Sequence, residues 1–553
     1  MSFSKHKARK SHKHSFKEAP TVSVRRSTFD RSHTLKTTFD SGMLIPIFMD
    51  EVLPGDTFNL KMSAFIRMST PLDPVMDGVR FYSYSFFVPQ RLVWENSQKF
   101  FGEKNNPADP SPSSYTVPVM SGHTGLLPQS LGDYLGLPTA VPLAQGDISA
   151  LPFRCLNLIY NDWFRDENFM DSRPVNLGNG PDPWEFYELM RFSKVHDYFT
   201  SALPWAQKGD PVPIPTLGPD SISIVTTLDR EANKYVAGFV PPPGDGGDNL
   251  YLGAANDIGS VKWNRVPTGI TAAGFAPTYH AGGAEGMTAT STATVHPQHS
   301  ATINQLREAF QTQELLEQFA RGGTRYIEIL KSTFGVTSPD SRLQRAEYLG
   351  GGIGHLQVSP VPQTSSTDSA SPQGHLGAFA TGEMRHHGFG QAFVEHGFVF
   401  MLLGVRADLT YQQGLGRIWS RRTRLDYFWP AFANLGERPI LNQELMYLDS
   451  ATHTDNKAAW GYQESWADYR YKPSYLTGKF RSNTPGGSLD PWHLAQYFTT
   501  RPTLSEGFIQ ENAPFDRVVA LSTEPTFIGD FYFHLICARP MPTYSIPGLS
   551  SHF

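Results

Sequence analysis

The residues best suited to bind something stand at the front of the chain, in MSFSKHKARKSHKHSFKEAP. Residues 1–36 hold ten basic groups (Lys5, Lys7, Arg9, Lys10, Lys13, Lys17, Arg25, Arg26, Arg31 and Lys36) against Glu18 and Asp30, a net +8. The whole chain is −5, so residues 37–553 carry −13. Lys and Arg at this density suit the neutralisation of a polyanion, with release of counterions from its phosphates. The segment has few apolar residues and no periodicity, so it is expected to be disordered without a partner. His6, His12 and His14 add charge only below their ordinary pKa of about 6.5. No apolar segment follows the charges, which argues against a secretory signal. The bland alternatives are a solubilising tail, an expression artefact or a targeting peptide.

Other residue types that could do chemistry do not fall into working patterns. No GxSxG elbow, HExxH helix, Walker A loop or GxGxxG fingerprint occurs. YLGGGIGHLQVSP (348–360) is glycine-rich but has the spacing of neither phosphate-binding motif. TGKF (477–480) has Pro473 where a phosphate loop needs its first glycine. EMRHHGFG sets His386 and His387 side by side near Glu383, with His396 further on. Neighbours on a strand point to opposite faces, so no metal site is expected there. Cys155 and Cys537 are the two cysteines; they make neither a disulfide framework nor a CxxC site, and Cys155 within LPFRCLNLIY reads as a packing residue. Neither an enzyme, a cofactor nor a metal is expected.

Any surface the chain offers must rest on strands and long loops. Glycine (48) and proline (43) make up about a sixth of the 553 residues, above the usual share of roughly 12%. In TFNLKMSAFIRMS (57–69) apolar and polar residues alternate, broken only by Phe65, which predicts a half-buried strand. RFYSYSFFV (80–88) follows a turn-like PLDPVMDG, and the two together suggest a β-meander. GFVFMLLGVRADLTY (397–411) is apolar on both faces at first and reads as a strand in the middle of a sandwich. FIGDFYFHLICA (527–538) is similar. Strands at both ends of so long a chain suit a Greek-key or jelly-roll sandwich with large insertions.

Helix signals are few. PDPWEFYELMRF offers Asp182 as N-cap, Pro183 and Glu185, and LDPWHLAQYF repeats that start with Asp490, Pro491 and Trp492. TINQLREAFQTQELLEQFARGG (302–323) has the capping pair Thr302 and Gln305, a glycine stop, and a stripe of Ile303, Leu306, Phe310, Leu316 and Phe319 expected to pack in the core. Residues 237–300 are poor in charge and rich in Gly, Ala, Thr and Pro, and no long periodic element stands out. A stretch like that reads as a subunit contact, an exposed projection or a mobile surface loop. No apolar run reaches transmembrane length, so a soluble protein or assembly is expected.

Several long segments carry a resemblance. RAEYLGGGIGHLQVSPVPQTSST (345–367), DYFWPAFANLGERPILNQELMY (426–447), GYQESWADYRYKPSYLTGKFRS (461–482) and CARPMPTYSIPGL (537–549) resemble the major capsid proteins of the Microviridae, in particular the gokushovirus group of small single-stranded DNA bacteriophages. SHTLKTTFDSGMLIPIFMDEVLPGDTF (32–58) and FYSYSFFVPQRLVWENSQKFFGE (81–103) are similar as well. The likeness covers most of residues 28–553 and is weakest in 237–300.

The resemblance implies a mainly β fold: an eight-stranded antiparallel jelly roll with long loop insertions and a few helices. It implies about 60 copies in a T=1 icosahedral shell around circular single-stranded DNA. Partners it implies are the chain itself, genomic DNA, a small basic DNA-packaging protein, a minor or pilot capsid protein, an assembly scaffolding protein and a host cell-surface receptor. Residues 1–36 would be an internal basic arm, with Lys5, Lys7, Arg9, Lys10, Lys13, Lys17, Arg25 and Arg26 on the DNA, and 37–553 a single jelly-roll domain. Residues 221–300 are the candidate three-fold surface protrusion, with Asn249, Tyr251, Trp263, Phe275 and Tyr279 as candidate host contacts. The protein would reside in the virion after assembly in the bacterial cytoplasm. A jelly-roll carbohydrate-binding or adhesin-like module is the alternative, since fold does not fix function.

Overall fold

The computed structural model describes residues 25–210, 212, 220–231, 234–238, 287–295, 303–365, 367 and 372–544. They fall into two compact units, one within 1–206 and 319–553, the other within 207–318. The strands are β1 Ser27–Asp30, β2 His33–Phe39, β3 Met43–Val52, β4 Thr57–Met68, β5 Val79–Pro89, β6 Met190–Arg191, β7 Asp220–Glu231, β8 Lys234–Gly238, β9 Met287–Val295, β10 Glu347–Pro362, β11 Leu376–Ala392, β12 Gly397–Ala407, β13 Thr410–Tyr411, β14 Arg438–Leu441, β15 Ala459–Gln463, β16 Ser474–Tyr475 and β17 Phe527–Arg539.

Ten of them make one antiparallel sheet in the order β1-β17-β4-β11-β10-β5-β12-β3-β6, with β2 also on β17. Without the short β1 and β6, the order separates into β2-β17-β4-β11 and β3-β12-β5-β10, two four-stranded sheets joined where β10 pairs with β11. The chain changes sheet at every step except β5 to β10, which is jelly-roll connectivity. The two sheets pack face to face: Phe48 of β3 lies 5.4 Å from Phe533 of β17, and Phe81 of β5 lies 5.5 Å from Phe527 of β17. The expected meander is therefore not formed. β4 pairs with β11 and β17, β5 with β10 and β12, because the proline-bearing turn between them carries the chain across to the other sheet.

β4 alternates without a break, with Phe58, Leu60, Met62, Ala64, Ile66 and Met68 buried and Phe65 turned outward. β17 alternates in the same way, from Phe527 to Cys537. β12 is buried on both faces, as its sequence predicts. Val399, Met401, Leu403 and Val405 enter the sandwich, while Phe400 and Leu402 meet a second core around the helix Leu151–Ile159, Trp94 and Phe192. A third core gathers Phe199, Ile440, Trp460 and Phe508, in part from the long connection between β12 and β17.

The glycine-rich YLGGGIG is the start of β10, at a bulge between Tyr348 and Gly350. A Cβ on Gly351 would overlap the Ser83 carbonyl oxygen of β5, and one on Gly388 of β11 would overlap that of Leu60 on β4. These glycines let neighbouring backbones approach within each sheet, β10 to β5 and β11 to β4.

The two Asp-Pro-Trp segments form no α-helix. Trp184–Phe186 and Asp490–Trp492 are single 3-10 turns, since each aspartate is engaged elsewhere: Asp182 with Arg154, Asp490 as acceptor from Ser482 Oγ at 2.8 Å. The helix Ile303–Arg321 is present, but its stripe is not core: Leu306 is exposed and Phe310 is 58% exposed. Its proposed cap, Thr302, lies outside the described residues. Within 221–300 a periodic element does occur. β9 (MTATSTATV) alternates Thr with other small residues and pairs with β7 in a three-stranded antiparallel sheet, β8-β7-β9. Its period of two is plain in the sequence but hidden by the low hydrophobicity of both faces.

Phe531→Ala removes a wholly buried ring at the sandwich centre and is expected to cost about 3–5 kcal/mol. Tyr532→Ala, one residue along on the exposed face, should cost about 0.5 kcal/mol or less. Urea unfolding of the two variants side by side checks the alternation.

Candidate functional site

Of the basic arm, Lys5, Lys7, Arg9, Lys10, Lys13 and Lys17 lie outside the described residues, while Arg25 and Arg26 are described and exposed. Residues 27–30 and 33–39 are already strands on β17, so the folded body begins inside the 1–36 segment. Arg26 donates to the Gly55 carbonyl at 2.9 Å and to Thr57 Oγ1 at 3.1 Å. Arg31 pairs with Asp50, and Arg539 sits 3.8 Å from Asp50 and 3.4 Å from Asp56 with its guanidinium over the Phe58 ring. Where the arm enters the sheet, Asp50 and Asp56 thus offset the local arginines. Lys36 and Asp530 pair at 2.8 Å in the open, an ion pair that contributes little.

One ion pair of the body is wholly buried, and no sequence motif announces it. Arg154, in the helix Leu151–Ile159, grips Asp182 with two hydrogen bonds of 2.7 and 2.8 Å, both side chains wholly buried. Asp182 also accepts from Tyr187 Oη at 2.6 Å and Asn176 Nδ2 at 2.7 Å. Arg154 donates further to the carbonyls of Val93 and Gly178. Burial pushes the Asp182 pKa up, but the hydrogen bonds from Arg154 and Tyr187 outweigh it, and the carboxyl titrates below its ordinary range. In sequence this aspartate looks like a helix cap; nothing local names an arginine 28 residues earlier as its partner.

The buried Lys194 and Glu511 and the half-buried Arg406 act on one another through charge. Lys194 Nζ donates to Gln496 Oε1 at 3.0 Å and to the Phe508 carbonyl at 2.7 Å. Burial lowers its pKa to about 8, against the raising effect of Glu511, whose own carboxyl burial pushes up. Lys194 also lines a polar cleft with Gln496, Arg501 and Phe508, while Glu511 Oε2 is buried with no hydrogen-bond partner among the described residues.

The histidines noted in sequence do separate tasks. His387 lies at a bulge of β11, within 3.0 Å of Ser83 Oγ. His396 stacks on Phe101 with ring centres 3.9 Å apart. No group of three metal-ligating side chains occurs among the described residues. Cys155 and Cys537 are buried, and burial pushes both thiols up. No described helix is long and apolar enough to cross a membrane. Asn249, Tyr251, Trp263, Phe275 and Tyr279 lie outside the described residues.

Comparison with known proteins supplies the family. Residues 17–549 match the family described as "Capsid protein (F protein)". The chain belongs to this capsid-protein family. It is 46% identical over 545 residues to the capsid protein VP1 of Bdellovibrio phage phiMH2K, covering 98% of each chain. It is 42% identical over 601 residues to VP1 of Chlamydia phage 1, covering 97% of this chain and 98% of that one. It is 34% identical over 548 residues to VP1 of Spiroplasma virus 4, covering 95% and 96%. These are gokushovirus-like microviruses, the group the signature segments resemble. The subunit is a major capsid protein that assembles with copies of itself in the virion, and the family is structural rather than enzymatic.

Asp182→Asn leaves Arg154 charged, buried and uncompensated, and is expected to cost the subunit about 3–5 kcal/mol. Because the folded pKa lies below the unfolded one, the wild-type contribution is present above pH of about 4 and is lost as pH falls through the folded value. Denaturant titrations from pH 7 downward should show that acid loss in the wild type and its attenuation in Asp182→Asn.

Proposed function

We propose that about 60 copies of this subunit close a T=1 icosahedral shell around circular single-stranded DNA. The near full-length likeness to three capsid VP1 proteins carries the reading. The +8 on residues 1–36 of an otherwise acidic chain supports an inward-facing arm, with Lys5, Lys7, Arg9, Lys10, Lys13, Lys17, Arg25 and Arg26 on phosphate. Binding of this kind is independent of sequence and weakens with salt. The arm's charge falls far short of a genome's phosphates, which calls for a separate small basic packaging protein. A minor or pilot capsid protein and a scaffolding protein complete the assembly set, in the bacterial cytoplasm. Residues 221–300 serve as the surface protrusion that meets the host receptor, with Asn249, Tyr251, Trp263, Phe275 and Tyr279 touching it; that residues 207–318 fall in a compact unit of their own supports a separate module.

Electron microscopy of particles from infected cells, with their 260/280 nm absorbance ratio, tests the shell. Uniform small isometric particles with a high ratio are expected; a dispersed single chain made alongside the other phage proteins would sink the reading. Replacing the six arm residues from Lys5 to Lys17 with Gln should leave the fold intact. It should reduce the slope of log affinity for single-stranded DNA against log salt by about 0.7 for each phosphate no longer neutralised. An unchanged slope would remove the arm from the DNA.

A further inference from the structure

We infer that the exposed arginine–aromatic surface at residues 417–438 is an assembly contact that seats an acidic face of a second copy of this chain. The stretch RIWSRRTRLDYFWPAFANLGER leaves Ile418, Trp419, Leu425, Tyr427, Trp429 and Leu435 open, with Ile418 69% and Trp419 73% exposed. Six open apolar groups within one short stretch of chain point to an interaction site.

The surface is built, not loose. Arg417 is held by Glu444 at 2.7 Å, and Arg421 pairs with Asp468 with its guanidinium 4.2 Å from the Tyr469 ring. Trp429 Nε1 donates to the Arg424 carbonyl at 2.7 Å. Phe428 packs edge-on against the buried Trp466, whose Nε1 donates to the Phe432 carbonyl. A surface fixed beforehand loses little entropy on docking.

Charge and composition select the occupant. The stretch has five arginines (417, 421, 422, 424, 438) and two acids (426, 437); with Glu444 and Asp468 paired to Arg417 and Arg421 the surface is left at +1, on a body of −13. Arg438 stacks on Trp466 at 4.5 Å. Arg422 and Arg424 are exposed and have no ion pair among the described residues. Two free arginines amid aliphatic and aromatic groups, with no lysine, fit a protein interface better than a nucleic-acid track. Ile418, Leu425 and Leu435 offer no stacking plane to a base. Matching the patch with itself would oppose arginines, so the contact is heterologous, the kind that closes rings. The family's capsid function supplies the second copy.

Oxidative footprinting of Trp419 and Trp429 in intact particles and in dissociated subunits tests this. Strong protection on assembly is expected; equal oxidation in both overturns the contact. Protection in DNA-filled but not DNA-free shells means nucleic acid covers the surface, and also overturns it. The exposed pair R422E/R424E should keep the wild-type circular dichroism and melting temperature while the particle yield falls about tenfold or more. Wild-type yield would refute the charge pairing. Failure of the wild type to give particles would instead fault the shell reading, while the footprint of particles from infected cells still decides the contact.

Discussion

Everything in this subunit hangs on β17. It lies between β2 and β4, so the last long strand of the chain pairs with the first, and its Phe527, Phe531 and Phe533 fill the space between the two sheets. Phe39 stacks on Phe527 and Phe48 packs on Phe533, so the front end of the chain is locked by rings near its far end. The sandwich cannot close until residues hundreds of positions apart have met, and such non-local pairing folds slowly. The long connections between β5 and β10 and between β12 and β17 also return residues to the sandwich: β6 pairs with β3, and Leu494, Phe515 and Val518 join its core. The insertions are free to vary in surface so long as their ends arrive in register.

That constraint explains which elements were legible. β4, β12 and β17 stand out because a strand with a fixed burial pattern writes it into alternate residues. Connectivity is not written there: β4 and β5 are neighbours in sequence yet belong to opposite sheets. The Asp-Pro-Trp starts misled for a related reason. An N-cap aspartate and a buried ion-pair aspartate have the same local sequence, and Arg154, which decides the matter at Asp182, sits in another element. Likewise the stripe on the helix Ile303–Arg321 has core spacing, but spacing cannot say whether a partner surface exists within one chain.

Functional surfaces were legible only where charge alone defines them. The ten basic groups of residues 1–36 are countable. The arginine–aromatic surface is not, since Trp460 and Trp466 lie within reach in sequence of Trp419 and Trp429 and are buried, while the latter two are exposed. Composition supplies aromatics for both uses, and packing in the folded chain separates them, as the third core does for Trp460. The glycines of β10 show the same limit in reverse: they resemble a ligand loop, and the close approach of Ser83 shows why they are glycines.

The distribution of charge bears directly on assembly. Bodies carrying −13 repel one another, yet at physiological salt that repulsion is screened beyond about 8 Å. Attraction must therefore come from apolar area buried between subunits, and charge serves to choose which faces meet and in what register. A small basic patch on an acidic body does this well: it is drawn to almost any other part of a second copy but not to itself. In the proposed shell the charge of the arm residues Lys5 to Arg26 is taken up by phosphate, while Arg31 and Lys36 pair with Asp50 and Asp530 of the body. Salt then acts on the two tasks in opposite senses, weakening the hold on nucleic acid while easing repulsion between bodies, which keeps shell cohesion and genome binding separable in one chain.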